Sequence, residues 1–149
     1  MTDVATHAQS TATEPVSRFG EPDEEQLPSR VRALYDQFRE SEGKVPNWIK
    51  AFAVHPTIMQ RFLNYYGVLF DEKQGRLPMS EREMIAATVA KKNGCTYCTV
   101  HHTEGLALQM KDWQRAQRII LNYHEVNISA RETAILDFTM KVTDHPGQI

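Results

Sequence analysis

The sequence predicts an all-α protein, on three observations. From Ser29 onward, apolar residues recur at helical spacing and not in alternation. Two Ser-x-x-Glu patterns, Ser80 with Glu83 and Ser129 with Glu132, stand ahead of apolar runs, where capping boxes open helices. No alternating run bounded by hairpin turns occurs in the 149 residues.

Each element follows in order. Residues 1–28 hold few large apolar side chains and are rich in Thr, Ser, Glu and Pro. They are expected to be disordered, or to order only on a partner. "SRVRALYDQFRE" places Val31, Leu34, Tyr35 and Phe38 at i, i+3, i+4 and i+7, with Ser29 as the expected N-cap. Gly43 and Pro46 break the chain. A short helix with Trp48, Ile49 and Phe52 follows Asn47 and ends before Pro56. The next helix starts at Pro56 or Thr57 and carries Ile58, Met59, Phe62, Leu63, Tyr66 and Leu69, with a loop at Gly75 and Pro78. "SEREMIAATVAKKNG" opens on Ser80 and Glu83 and closes on Gly94. Helices over 95–109, through "KDWQRAQRIILNYHE" and through "SARETAILDFTMKVT" complete the pattern. The spacing of Trp48, Phe52, Phe62, Tyr65 and Tyr66 predicts core or subunit interface, and Lys91 and Lys92 read as a solvated helix end.

The bulk composition narrows the function classes. A chain of 149 residues with 41% apolar and 24% charged residues is one domain by default, here 29–149. A net charge of −2 gives no nucleic-acid footprint. No run of about 18 apolar residues predicts a membrane helix. "MTDVATHAQSTATEP" has neither the basic start and apolar stretch of a secretory signal nor the Arg-rich pattern of a transit peptide. A cytoplasmic location follows as the expectation. There, two close cysteines point to reactivity or metal binding more than to a structural staple.

Both cysteines lie in "NGCTYCTVHH", residues 93–102. Cys95 follows Gly94 at a helix start, where unpaired N–H groups and the helix dipole favour a thiolate. Cys98, at i+3, faces the same way, so the two sulfurs can form a disulfide. His102, four residues after Cys98, stands one turn along the same face and can take a thiol proton. His101 is its flank. Helix-start electrostatics favour Cys95 as nucleophile and nearness to His102 favours Cys98, so the residues alone leave both open. Glu83 has two readings: a capping-box member only, or a carboxylate that orients His102.

Other chemistries fit less well. A zinc site from Cys95, Cys98, His102 and Glu83 would need ligands within roughly 2.0–2.3 Å of one ion. Yet Cys95 and His102 lie about 10 Å apart along a regular helix. A c-type haem needs His directly after the second cysteine, where Thr99 stands. A thioredoxin-like motif needs strands. Two inert buried cysteines remain the bland alternative.

Glu83, then Cys95-Thr-Tyr-Cys98, then His102, at these spacings, resembles the signature of the alkyl hydroperoxidase D family, within the carboxymuconolactone decarboxylase-like superfamily. "GKVPNWIKAFAVHP", "RLPMSEREMIAATVAKKNGC" and "CTVHHTEGL" resemble its uncharacterised peroxidase-related branch, over about residues 29–143. The resemblance implies an AhpD-like helical bundle, a homo-oligomer of trimers or hexamers, and reduction of hydroperoxides by a dithiol without metal or organic cofactor. It implies that Cys98 is the peroxidatic thiolate, Cys95 the resolving thiol, and Glu83 and His102 a proton relay. An external dithiol reductant is the expected partner. Two departures stand out. Thr96-Tyr97 occupies the inner pair where the best-known enzyme has a histidine, and the chain ends where the branch usually adds helices, so 29–149 reads as a shortened domain. Rival readings are a general disulfide reductase or redox relay, a non-enzymatic helical oligomerisation module, and a carboxymuconolactone decarboxylase-like enzyme. The decarboxylases of the superfamily lack the cysteine pair.

Overall fold

The structure, a computed structural model, describes residues 17–71 and 73–149. Most of the expected N-terminal arm, residues 1–16, lies outside the described residues. Among the described residues the elements are seven α-helices and three single 3-10 turns, with no strand. The helices are α1 (Ser29–Glu42), α2 (Asn47–Phe52), α3 (Pro56–Phe70), α4 (Met79–Lys92), α5 (Thr96–Met110), α6 (Trp113–Asn122) and α7 (Ala130–Asp144). By its internal contacts the chain divides into two compact units, Met1–Tyr65 and Tyr66–Ile149.

In the first unit, Val31, Tyr35, Ile49 and Met59 form a buried core with Leu27. The packed chain thus begins ahead of α1, and Arg39 pairs with Glu24 there at 2.5 Å. Trp48, Phe52 and Phe62 pack as the spacing predicts, edge-on around Trp48 and stacked between the two phenylalanines. Tyr65 does not join them and is 64% exposed. Ser29 is not the N-cap of α1. Pro28 is, with no side-chain bond, and Ser29 is the first helical residue.

In the second unit, Met84, Ala87, Leu106, Ile119 and Leu136 bring α4, α5, α6 and α7 onto one core. Two ion pairs tie α4 to α7: Lys92 to Asp144 at 2.8 Å, and Glu81 to Arg131 in a two-point contact at 2.8 and 3.0 Å. Lys91 donates to the Leu121 carbonyl, so both lysines, though exposed, have partners. The capping box of Ser129 and Glu132 forms as predicted.

The Ser80–Glu83 box does not form. Helix α4 starts two residues earlier than a Ser80 cap would place it, at Met79, with Pro78 at its N-cap. Pro78 has extended ψ of 158°, and its carbonyl accepts from the Glu81 and Arg82 amides. An N-cap needs non-helical backbone angles, and Ser80 already has helical ones. Glu83 is thereby released from capping.

The other end of α4 sets the position of the cysteines. The Gly94 amide bonds Lys91 O and the Cys95 amide bonds Ala90 O, each at 3.0 Å. With Gly94 left-handed at φ +69°, this is a Schellman closure in which Asn93 is the C-cap. Cys95 then serves as N-cap of α5, its sulfur accepting from the Cys98 amide at 3.3 Å. One residue ends α4 and opens α5, making a tight helical hairpin.

Candidate active site

That hairpin brings three of the four expected residues onto α5 and its start, and the fourth opposite them on α4. Cys95 and Cys98 are bonded as a disulfide, with Cα atoms 5.4 Å apart, the spacing that one helical turn allows. Both are half-buried. His102 lies one turn beyond Cys98. Its Nδ1 stands 2.8 Å from Glu83 Oε2. A carboxylate can only accept, so Nδ1–H donates to Glu83 and leaves Nε2 as the ring nitrogen free for proton transfer. Each side chain of the pair is 15% exposed, so the bond is sheltered from competing water.

The pair is held from several sides. The Phe70 ring lies nearly parallel to the His102 imidazole, 5.7 Å away and tilted by 15°. Tyr66 stacks on Phe70 in turn, at 4.6 Å. Burial, with the negative Glu83 as a smaller cause, pushes the Tyr66 phenol up to about 12. Thr99 and Thr103 return their hydroxyls to carbonyls one turn back, Cys95 O and Thr99 O, so neither competes for the His102 bond.

Arg82, beside Glu83 in sequence, takes the opposite direction. It is buried, and its guanidinium gathers the loop between α3 and α4. Nε donates to Leu77 O, and Nη1 to Leu69 O and Asp71 O, each at 2.8 Å; Nη2 donates to Gln74 O. Gly75 makes room for it at φ +92°, where a β-carbon would stand 3.1 Å from Nη2. The loop so held carries Phe70 at one end and the start of α4 at the other.

His101 is exposed and flanks the site as expected. Its ring faces that of Tyr97 at 6.4 Å and meets His102 edge-on at 5.4 Å. Tyr97, between the cysteines, is 47% exposed. Sequence reasoning missed Phe70 and Arg82. Phe70 was legible as the residue four after Tyr66. Among the described residues, no three His, Cys, Asp or Glu side chains are grouped to hold a metal ion. Among them too, no helix is long and apolar enough to cross a membrane.

Comparison with known proteins gives the family. The carboxymuconolactone decarboxylase family model matches residues 56–137, which include all four site residues. Two solved structures are similar over nearly the whole chain. One is described as an alkylhydroperoxidase AhpD core, an uncharacterised peroxidase-related protein from Ralstonia eutropha JMP134. It is 31% identical, with a TM-score of 0.85, over 92% of this chain and 72% of its own. The other is an uncharacterised peroxidase-related protein from Silicibacter sp. TM1040. It is 30% identical, with a TM-score of 0.84, over 95% of this chain and 73% of its own. No curated protein matches the chain. An all-helical fold shared with an AhpD core, and a family match that spans the cysteine hairpin, together mean that this chain belongs to the carboxymuconolactone decarboxylase family, on its AhpD-like side.

Proposed function

We propose that the protein is a thiol peroxidase that reduces alkyl hydroperoxides with the Cys95–Cys98 dithiol. The observation that carries this reading is the sheltered 2.8 Å bond between His102 Nδ1 and Glu83, one helical turn from a cysteine pair. In the reduced protein His102 Nε2 takes the Cys98 proton, and the Glu83 carboxylate stabilises the imidazolium that results. The thiolate attacks the distal oxygen of ROOH. The O–O bond breaks, two electrons pass from sulfur to oxygen, and the departing RO⁻ takes the proton from His102 and leaves as ROH. Cys98 is then a sulfenic acid. Cys95 sulfur attacks it, the Cys95 proton and the sulfenic hydroxyl leave as water, and the 95–98 disulfide closes. An external dithiol, oxidised to its own disulfide, restores both thiols.

A cytoplasmic setting belongs to the same proposal, since the cycle needs a reducing pool. So does a homo-oligomer, trimer or hexamer; the exposed Leu108, Leu121 and Phe138 supply apolar surface for it. One observation favours a second reading, a disulfide reductase acting on a protein or thiol. The exposed Tyr97 between half-buried cysteines offers a partner a contact beside the bond it would exchange.

Stopped-flow mixing of pre-reduced protein with an alkyl hydroperoxide tests the proposal. The expected result is a stoichiometric burst of peroxide consumption with the 95–98 disulfide appearing by mass, and no burst from Cys98→Ser. Equal traces from the two proteins would end the peroxidase reading. Faster oxidation by a disulfide dye than by peroxide would favour the second.

A further inference from the structure

We infer that Gly105 is a positioning residue: the missing side chain at this point of α5 leaves the space in which the Glu83 carboxylate lies against His102. The inference rests on the reading of Glu83 and His102 as a working pair. A β-carbon built on Gly105 would stand 2.6 Å from Glu83 Cδ, 2.8 Å from Oε1 and 2.9 Å from Oε2. All three carboxyl atoms fall inside the distance that real β-carbons keep. Gly105 and His102 are three residues apart on α5, hence neighbours on one helix face. The carboxylate thus spans that face, bonded to the imidazole at one end and resting on bare backbone at the other.

Nothing in the helix itself calls for glycine here. Gly105 is not among the residues with positive φ, and a glycine inside a helix is less favourable than an alanine there. Gly105→Ala should therefore help the helix while evicting the carboxylate. Glu83 is the flexible partner, so it moves. Its Cδ must retreat by about 0.8 Å to reach the 3.4 Å of ordinary contact. A displacement of that size at an oriented catalytic group lowers rates by up to about 100-fold.

The test compares wild type, Gly105→Ala, Glu83→Ala and the double variant. The readouts are the His102 tautomer by ¹⁵N NMR with the ring neutral, the alkylation rate of reduced Cys98, and the pH profile of that rate. In wild type the proton sits on Nδ1. Gly105→Ala should give a tautomer mixture and a Cys98 rate lowered by about 10- to 100-fold. In the Glu83→Ala background the same change should alter the rate by less than about twofold, because the group it displaces is gone. The inference falls if Gly105→Ala keeps the wild-type tautomer and rate. It falls equally if the loss is as large without Glu83. A wild type that consumes no peroxide, while tautomer and alkylation still respond to Gly105→Ala, overturns the proposed function and leaves this inference standing.

Discussion

Replacing Arg82 with methionine would remove the guanidinium fork while keeping most of the buried stem. Four loop carbonyls lose their donor: Leu69, Asp71, Gln74 and Leu77. Hydrogen bonds to a charged donor contribute about 1.5–3 kcal/mol each, but the four do not add. Leu69 and Gln74 belong to exposed residues, whose carbonyls can turn to water. Asp71 and Leu77 are half-buried and carry most of the loss, part of which the methionine recovers by apolar burial. The expected destabilisation is about 3 kcal/mol, or roughly 6–12 °C in Tm for a chain of this size. Thermal unfolding followed by far-UV circular dichroism measures it. Arg82→Lys should recover less than half, because an ammonium is a point donor and cannot span four acceptors laid out for a planar fork. An Arg82→Met protein within about 0.5 kcal/mol of wild type would mean that water serves these carbonyls as well as arginine does. Full recovery by lysine would refute the geometric part. A loosened loop should also free Phe70 from His102, so the peroxide burst should slow along with the loss of stability.

Two further outcomes are expected. Glu83→Gln keeps an acceptor for His102 Nδ1 but removes the negative charge that stabilises the imidazolium, so the burst rate should fall by about 100-fold in stopped flow with the fold unchanged. In alkali, Tyr66 is raised to about 12 by burial and then by Glu83, and Tyr123 to about 12 by burial and then by its 2.8 Å bond to Asp137. Both phenols ionise first in the unfolded chain, so the stability they contribute is complete below pH 10 and declines between 10 and about 12. Urea midpoints across that window should fall less steeply for Tyr66→Phe and Tyr123→Phe than for wild type.

What the sequence determined by itself is what depends on near neighbours. The stripe Val31, Leu34, Tyr35 and Phe38, the Ser129–Glu132 box and the placement of Cys95 at a helix start are matters of three or four residues, and the structure contains all three. The family resemblance was legible because residue types at fixed spacings carry it, from Glu83 through Cys95 and Cys98 to His102. The Ser80 box failed on a local question with a non-local answer: Pro78 and the loop before it decide where α4 begins, and Arg82 ties that loop down. Only the tertiary structure decided that Glu83 turns to a histidine nineteen residues on, that Phe70 lies over that histidine, and that Glu81 meets Arg131 fifty residues away. Helical periodicity says which face of a helix is apolar. It does not say which residue of the next helix that face will meet. The Schellman closure through Gly94 and Cys95 folds α5 back on α4, and the side chains opposite each other across that hairpin make the site.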